Sequence, residues 1–360
     1  MKIGIVTQPL LNNYGGILQN YALQTLLRQL GHEPITVDYM PNIPLKVYRK
    51  RVLKRLWYNL FHSKKRPEVQ RFLYARHPYF EAFIKKNITL TDVVYNYSPQ
   101  LVADYGFEAV VVGSDQVWRP CYNQYVLTNM FLDFVKEQGV KKIAYAASFG
   151  VDNWEFTPKQ SKKCRKFAQQ LDSVSVRENS GIALCRDSLN IEAVEVLDPT
   201  LLISADTYNA LCTDVEQPQE RYIGAYILDS TPEKVALVEA EAKRQGVACK
   251  IYGAHDNLEL SVEEWLAMFK NAECVITDSF HGCVFSIIFR KEFVALINSS
   301  RGASRFASLL GKFNLLHRII EEPKQELLPE EPIDWNEVEK TLKEWQEISL
   351  NYIESALRTI

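Results

Sequence analysis

Apolar and polar positions along the chain alternate between two periods. Residues 2–7 are a short apolar run. A loop with Pro9, Asn12, Asn13, Gly15 and Gly16 follows, and then residues 17–30 place Leu18, Tyr21, Ala22, Leu26, Leu27 and Leu30 near helical spacing before Gly31. With a second strand-like run at 34–39, the first forty residues predict a βαβ unit. Residues 45–86 predict two basic and aromatic helices broken near 63–67. Strands are expected at 109–113, 142–148, 173–177 and 193–197, with a helix at 162–171. After a polar stretch at 213–220 the alternation restarts. Strands at 222–228, 247–252, 274–277 and 293–297 are interleaved with helices at 232–245, 262–271, 280–289 and 304–310.

Strands alternating with helices predict an α/β fold with parallel sheets. The restart predicts two Rossmann-like domains, residues 1–215 and 216–330. A final amphipathic helix within 331–360 is free to pack back on the first domain. In such sheets ligands bind beyond the carboxyl ends of strands, beside helix N-termini. The polar residues just after each strand are therefore the ones that bear on chemistry.

Composition narrows the class. Hydrophobic residues make up 47% and charged residues 24%, as in a globular protein. Lys and Arg number 42 against 44 Asp and Glu, so no overall basic field points to nucleic acid. The seven cysteines form no CxxC pair, which supports neither a zinc ribbon nor a disulfide framework, and reduced thiols fit a cytoplasmic location. The first residues read as a strand and not a signal peptide. The apolar run at 283–289 is too short to cross a bilayer.

Five segments stand at strand ends. In the loop at 12–20, Asn13, Gly15, Gly16 and Gln19 precede or open a helix. This is either an ordinary βα turn or a backbone cradle for an anion, and it matches neither GxGxxG nor GxxxxGK[ST]. Residues 110–118 deliver Gly113, Ser114, Asp115 and Gln116 to a sheet edge, where Ser114 or Asp115 also suits a helix cap. Ser148 ends another strand. Arg177, at the end of an apolar strand, needs either a carboxylate partner such as Glu178 or an anionic ligand for its planar fork. At 274–282, Asp278 or Ser279 caps a helix whose first turn holds His281. That place suits either a capping histidine or a general acid that takes its proton when an anion binds. In the last segment Arg301 reads as solvated, while Arg305 is placed to reach a shared cleft.

A separate cluster, Lys46, Arg49, Lys50, Arg51, Lys54, Arg55, Lys64, Lys65 and Arg66, is interleaved with apolar residues and contains no Asp or Glu. Residues 46–66 read either as a helix with a solvated face or as an interfacial helix drawn to anionic lipid.

Taken together, NYGGILQNYALQ, VVVGSDQVWRP, SVSVRE, LDPTLL and TDSFHG, in this order over roughly residues 1–315, resemble the polysaccharide pyruvyl transferases. The resemblance implies a fold similar to two-domain GT-B glycosyltransferases, with the active site in the cleft. It implies transfer of pyruvate from phosphoenolpyruvate onto a saccharide acceptor as a cyclic ketal, with no further cofactor and no metal. It further implies that Arg177 and His281 are functional. In some members an arginine stands two residues before that histidine. Here the position is Ser279, and Arg305 is the candidate for the missing charge. On this reading His281 is general acid or phosphate ligand, Arg177 holds the donor, and Asp115 binds acceptor hydroxyls or acts as base. The substrate contacts are then Asn13, Gly15, Gly16, Gln19, Ser114, Gln116, Ser148, Asp278, Ser279 and Arg305. Donor binding is expected to draw the two halves together. The same architecture also serves sugar-nucleotide glycosyltransferases and non-catalytic glycan-binding proteins.

Overall fold

The computed structural model describes residues 1–43, 45–61, 76–253, 260–297, 303–321, 327–329 and 331–358. Lys64, Lys65, Arg66 and Arg301 lie outside the described residues. Eleven strands are described: β1 Lys2–Val6, β2 Glu33–Thr36, β3 Ala109–Val112, β4 Lys141–Ala147, β5 Ser173–Val176, β6 Val194–Glu195, β7 Tyr222–Ile227, β8 Ala248–Gly253, β9 Cys274–Thr277, β10 Glu292–Leu296 and β11 Ile319–Ile320. They form two sheets, ordered β2-β1-β3-β4-β5-β6 and β11-β10-β9-β7-β8. Every neighbouring pair is parallel. The two-sheet α/β expectation therefore holds.

Central strands are buried on both faces, as covered parallel strands must be; β3 and β9 are fully buried along their lengths. Pro34, which lacks an N–H, sits on the edge strand β2, where a missing donor costs least. In each sheet the order reverses once, at β1/β3 and at β7/β9. The chain segments leaving those four strands end at the same hollow, because their side chains line it together.

The halves are not separate bodies. One apolar core runs from Ile3, Ile5, Ile17 and Leu18 of the first half to Trp265, Phe280, Val284 and Phe285 of the second. Tyr14, in the first turn of the Tyr14–Gln29 helix, stacks on Trp265 with ring centroids 5.1 Å apart and planes 8° apart. Its hydroxyl donates to Leu260 O at 2.6 Å. An interface this apolar works against free domain motion. The expected closure thus meets halves that are already joined at the floor of the cleft.

The Trp335–Leu357 helix lies against the first sheet. Tyr352 Oη donates to Ala144 O at 2.9 Å, Ser349 Oγ accepts from Leu197 N at 2.9 Å, and Gln346 Nε2 donates to Leu201 O at 2.6 Å. The Leu45–Phe61 helix differs from all of these, since it buries no residue.

Three departures from the expected boundaries have a clear local cause. The first helix begins at Tyr14 and not at residue 17, because Asn13 is its cap: Asn13 Oδ1 accepts from Gly16 N at 3.0 Å. Gly15 and Gly16 therefore belong to the first helical turn and not to a loop. The helix expected at 162–171 runs Pro158–Ala168, started by a Thr157–Gln160 capping box. The strand expected at 193–197 shrinks to two residues before Asp198-Pro199 turns the chain.

Candidate active site

Local sequence places each polar group of the hollow between the sheets. Ser279 caps the Phe280–Ile288 helix, its Oγ accepting from Gly282 N at 3.3 Å, so His281 sits in the first turn at the mouth of β9. Gly282 lets this helix lie directly on β9, since a Cβ there would fall 2.2 Å from Thr277 Oγ1. Gly15 does the same between the halves: a Cβ on it would fall 2.0 Å from His281 Nδ1. The imidazole is therefore held against backbone of the opposite half.

Arg177 leaves β5 and is buried, and Asp198, beyond β6, is buried beside it. Arg177 Nη1 donates to Asp198 Oδ2 at 2.8 Å and, more loosely, to Ser114 Oγ at 3.4 Å. Asp198 also accepts from Ser114 Oγ at 2.7 Å, Thr200 N at 3.0 Å and Thr200 Oγ1 at 2.6 Å. His281 Nε2 stands 3.7 Å from Asp198 Oδ2, beyond hydrogen-bond distance. Burial alone would raise the Asp198 carboxyl. The neighbouring imidazole, the Arg177 guanidinium and Thr200 outweigh burial and hold the group well below the usual carboxylate range. Burial likewise disfavours the charge on Arg177, but Asp198, Glu178 and Asp115 more than compensate, and its pKa is raised.

Only one edge of the Arg177 fork is used. Among the described residues its Nε and Nη2 are buried without a partner, as are His281 Nε2 and Arg305 Nε. Burial and repulsion from Arg177 both press the Arg305 pKa down, against the attraction of Glu178 and Asp115. The Arg177 guanidinium lies 4.4 Å from the Phe280 ring centroid, which fixes its plane. Buried donors are nearly always satisfied, so cationic donors left open from both halves mark a place for an anion. Two helix N-termini, at Tyr14 and Phe280, contribute the first-turn N–H groups that no helix satisfies internally.

The hollow has a volume of about 590 Å³ and is lined from both halves, among others by Asn13, Gly15, Asp115, Arg119, Tyr122, Ser279, His281 and Arg305. Of the expected residues, Asn13, Gly15, Asp115, Gln116, Asp278, Ser279, His281 and Arg305 line it. Within it, Asp278 is committed: it accepts from Leu228 N at 2.5 Å, Asp229 N at 3.0 Å and Lys234 Nζ at 2.5 Å, which ties β7 to β9. Gly16 packs near Asp115 Oδ2, to which its Cβ would stand at 3.5 Å.

Gly16, Gln19, Ser114, Ser148 and Arg177 are not among the residues that line the hollow; they stand behind it. Gln19 Nε2 donates to Thr7 Oγ1 and Gly16 O, both at 2.9 Å. Ser148 Oγ donates to Glu178 Oε1 at 2.9 Å, and that oxygen also accepts from Phe149 N and Gly150 N. Strand ends predict exposure, but here the chain folds inward. β4 carries a bulge between Ala144 and Ala147 with Ala146 at φ 50°, and Asp115 stands at φ 92°. A non-glycine residue in that region is strained, and such strain gathers at functional sites.

Sequence reading missed Asp198 and Arg119. LDPTLL flagged the turn at Asp198 but not its partner, since Arg177 lies on another strand. Arg119 pairs with Glu155 at 3.1 Å and its Nη1 donates to Gln116 Oε1 at 3.0 Å. Of the carboxylates open to Arg177, Asp198 is the one that pairs with it, and Glu178 instead accepts from Ser148 Oγ, Phe149 N and Gly150 N.

The family model described as polysaccharide pyruvyl transferase matches residues 13–300. No curated protein sequence matches the chain. Among solved structures, UDP-GlcNAc 2-epimerase from Neisseria meningitidis bound to UDP-GlcNAc is similar at 9% identity and a TM-score of 0.46, over 100% of this chain and 95% of that one. MnaA from S. aureus with UDP is similar at 12% identity and 0.47, over 99% and 90%. A UGT transferase from Siraitia grosvenorii in complex with UDP is similar at 11% identity and 0.45, over 99% and 100%.

Proposed function

The chain belongs to the polysaccharide pyruvyl transferase family, and on that premise we propose that it transfers pyruvate from phosphoenolpyruvate to two hydroxyls of a saccharide as a cyclic ketal. The observation that carries this reading is the set of buried nitrogens on Arg177, Arg305 and His281, gathered from both halves, that have no partner among the described residues. Phosphoenolpyruvate brings a carboxylate and a phosphate. Two guanidiniums and two helix N-termini suit two anionic groups.

The chemistry assigns roles. An imidazolium on His281, supported by the ionised Asp198 carboxylate 3.7 Å away, gives its proton to the methylene carbon of the donor. The resulting cationic centre at C2 is attacked by one acceptor hydroxyl, which loses its proton to Asp115. The C2–O bond to phosphate then breaks, phosphate leaves with the bonding pair, and the second hydroxyl closes the ring and gives its proton to the now neutral His281. Arg177 and Arg305 stabilise the charge that grows on the departing phosphate.

The test is thermal. Phosphoenolpyruvate should raise the melting temperature of the full chain, and nucleotide sugars should not. His281→Gln should keep the fold and lower turnover by about 10²–10⁴-fold, the usual worth of general acid–base help. Stabilisation by nucleotide sugars in place of phosphoenolpyruvate would overturn the proposal.

A further inference from the structure

A second hollow, of about 580 Å³, opens beside the first on the N-terminal half. The two share Asn12, Asn13, Asp115, Gln116 and Tyr122. Their chemistry differs. The cleft presents Arg119, His281 and Arg305, whereas among the described residues that line the second hollow there is no Lys, Arg or His and Asp115 is the one acidic residue, with Arg51 reaching only the Tyr125 hydroxyl. In their place stand tyrosines and amides: Tyr39, Tyr122 and Tyr125 with Asn42, Asn123 and Gln124. Tyr122 and Tyr125 are 58% and 39% exposed; the Arg119 guanidinium lies over the Tyr122 ring at 5.2 Å, which leaves Tyr125 as the aromatic platform. The amides are held in place: Asn42 Nδ2 donates to Tyr95 O at 2.9 Å and Asn123 Nδ2 to Val117 O at 2.8 Å.

We infer that this second hollow binds the acceptor saccharide. The inference rests on the reading that the cationic cleft takes the donor. A neutral sugar has one apolar C–H face, which matches an open aromatic ring, and a rim of hydroxyls, which matches amides and a carboxylate. The volume falls in the range of ligand pockets, about 300–1,000 Å³. It takes a sugar together with a neighbouring residue of a longer chain. Asp115 stands on the boundary. Its Oδ1 accepts from Gln116 N at 2.7 Å, and its Oδ2 has no hydrogen bond among the described residues. A sugar seated on Tyr125 thereby reaches the carboxylate on one side and the donor on the other.

Binding of the full chain to a printed array of mixed glycans, with no donor present, tests this. Signals should be lost by at least tenfold in Tyr125→Ala and kept in Arg305→Ala. Cys121, the exposed thiol of this hollow, gives an independent readout, because a captured glycan should slow its alkylation. Absence of any saccharide signal, or signals indifferent to Tyr125→Ala, overturns the assignment. Failure of phosphoenolpyruvate to stabilise the parental chain would overturn the donor reading while leaving the array result intact.

A different observation supports a second inference. The Leu45–Phe61 helix carries six Lys or Arg and no acidic residue, and buries no side chain. Lys46, Arg49, Lys50 and Arg51 fill the first turns, Lys54 and Arg55 follow Leu53 in the middle, and Leu56, Trp57, Leu60 and Phe61, each more than half exposed, fill the last ones. We propose that this helix docks on an anionic bilayer surface, with its basic end at headgroups and Trp57, Leu60 and Phe61 inserted obliquely. Arg51 Nη2 donates to Tyr125 Oη at 3.1 Å, so docking would bring the second hollow to the membrane. The full chain should sediment with phosphatidylglycerol-containing vesicles at low salt and not with pure phosphatidylcholine, and a Trp57→Ser, Phe61→Ser variant with an unchanged melting temperature should lose most of the binding. No sedimentation, or sedimentation blind to lipid charge, overturns it.

Discussion

Replacing Gly15 by Ala tests how tightly the two halves position the imidazole. A Cβ at this site would lie 2.0 Å from His281 Nδ1, 2.4 Å from Cγ and 2.7 Å from Cε1. Real Cβ atoms do not come closer than 3.0 Å, so the ring must move by about 1 Å or the helix end must retreat. Retreat is opposed by Tyr14, the adjacent residue, which is stacked on Trp265 and bonded to Leu260 O. The ring therefore yields. A misplacement of about 1 Å in a reacting group can cost about 10²-fold in rate, and that is the expected fall in kcat for phosphate release from phosphoenolpyruvate with acceptor. Alanine in a helix is intrinsically better than glycine by up to about 1 kcal/mol, so the melting temperature should fall little. The decisive arm is a double-mutant cycle: in a His281→Gly background, Gly15→Ala should no longer change melting temperature or donor affinity. Parental turnover in Gly15→Ala, or an equal effect of the substitution in both backgrounds, would refute the contact.

Asp198→Asn should destabilise the chain at neutral pH by about 3–5 kcal/mol, because it strands the buried Arg177 charge; denaturant melts measure it. Since the folded Asp198 carboxyl titrates below its unfolded value of about 3.9, its contribution is complete above that pH and is lost on further acidification, so the gap between parent and variant should narrow below about pH 4. Arg305→Ala should weaken phosphoenolpyruvate binding by tenfold or more, with Arg305→Lys restoring only part of it for want of a planar fork; calorimetric titration of the donor reads both. Glu178→Gln should cost about 1–3 kcal/mol, because a neutral amide holds the 148–150 turn less firmly than a carboxylate that accepts from Ser148 Oγ, Phe149 N and Gly150 N.

What could be read from the sequence was what local chemistry controls. Unbroken apolar runs such as β3 and β9 announced buried parallel strands. The Ser279 cap placed His281 in a first turn without any knowledge of the rest of the chain. Long-range pairing was not legible in the same way. Arg177 had to find a carboxylate or an anion: Asp198, reached only because β5 and β6 lie side by side, takes one edge of the fork, and the other has no partner among the described residues. Two side chains turn away from the hollow for one backbone reason. Ser148 and Ser114 stand at strand ends, where polar side chains usually face a ligand. The bulge in β4 and the positive φ at Asp115 turn them inward to serve as braces, and no periodicity reports a backbone kink. The division of the site into a charged and a neutral chamber was equally hidden, since Tyr39, Asn42 and Tyr125 come from segments with no motif.

The apolar core that passes from one sheet to the other limits how this protein can be recombined. A chimera cut near residue 215, with a foreign second half, would leave Tyr14 without Trp265 and would uncover a sticky seam, so grafting a new specificity by exchanging halves should give insoluble products. Diversity in such a scaffold must then arise by retailoring loops around an inherited seam.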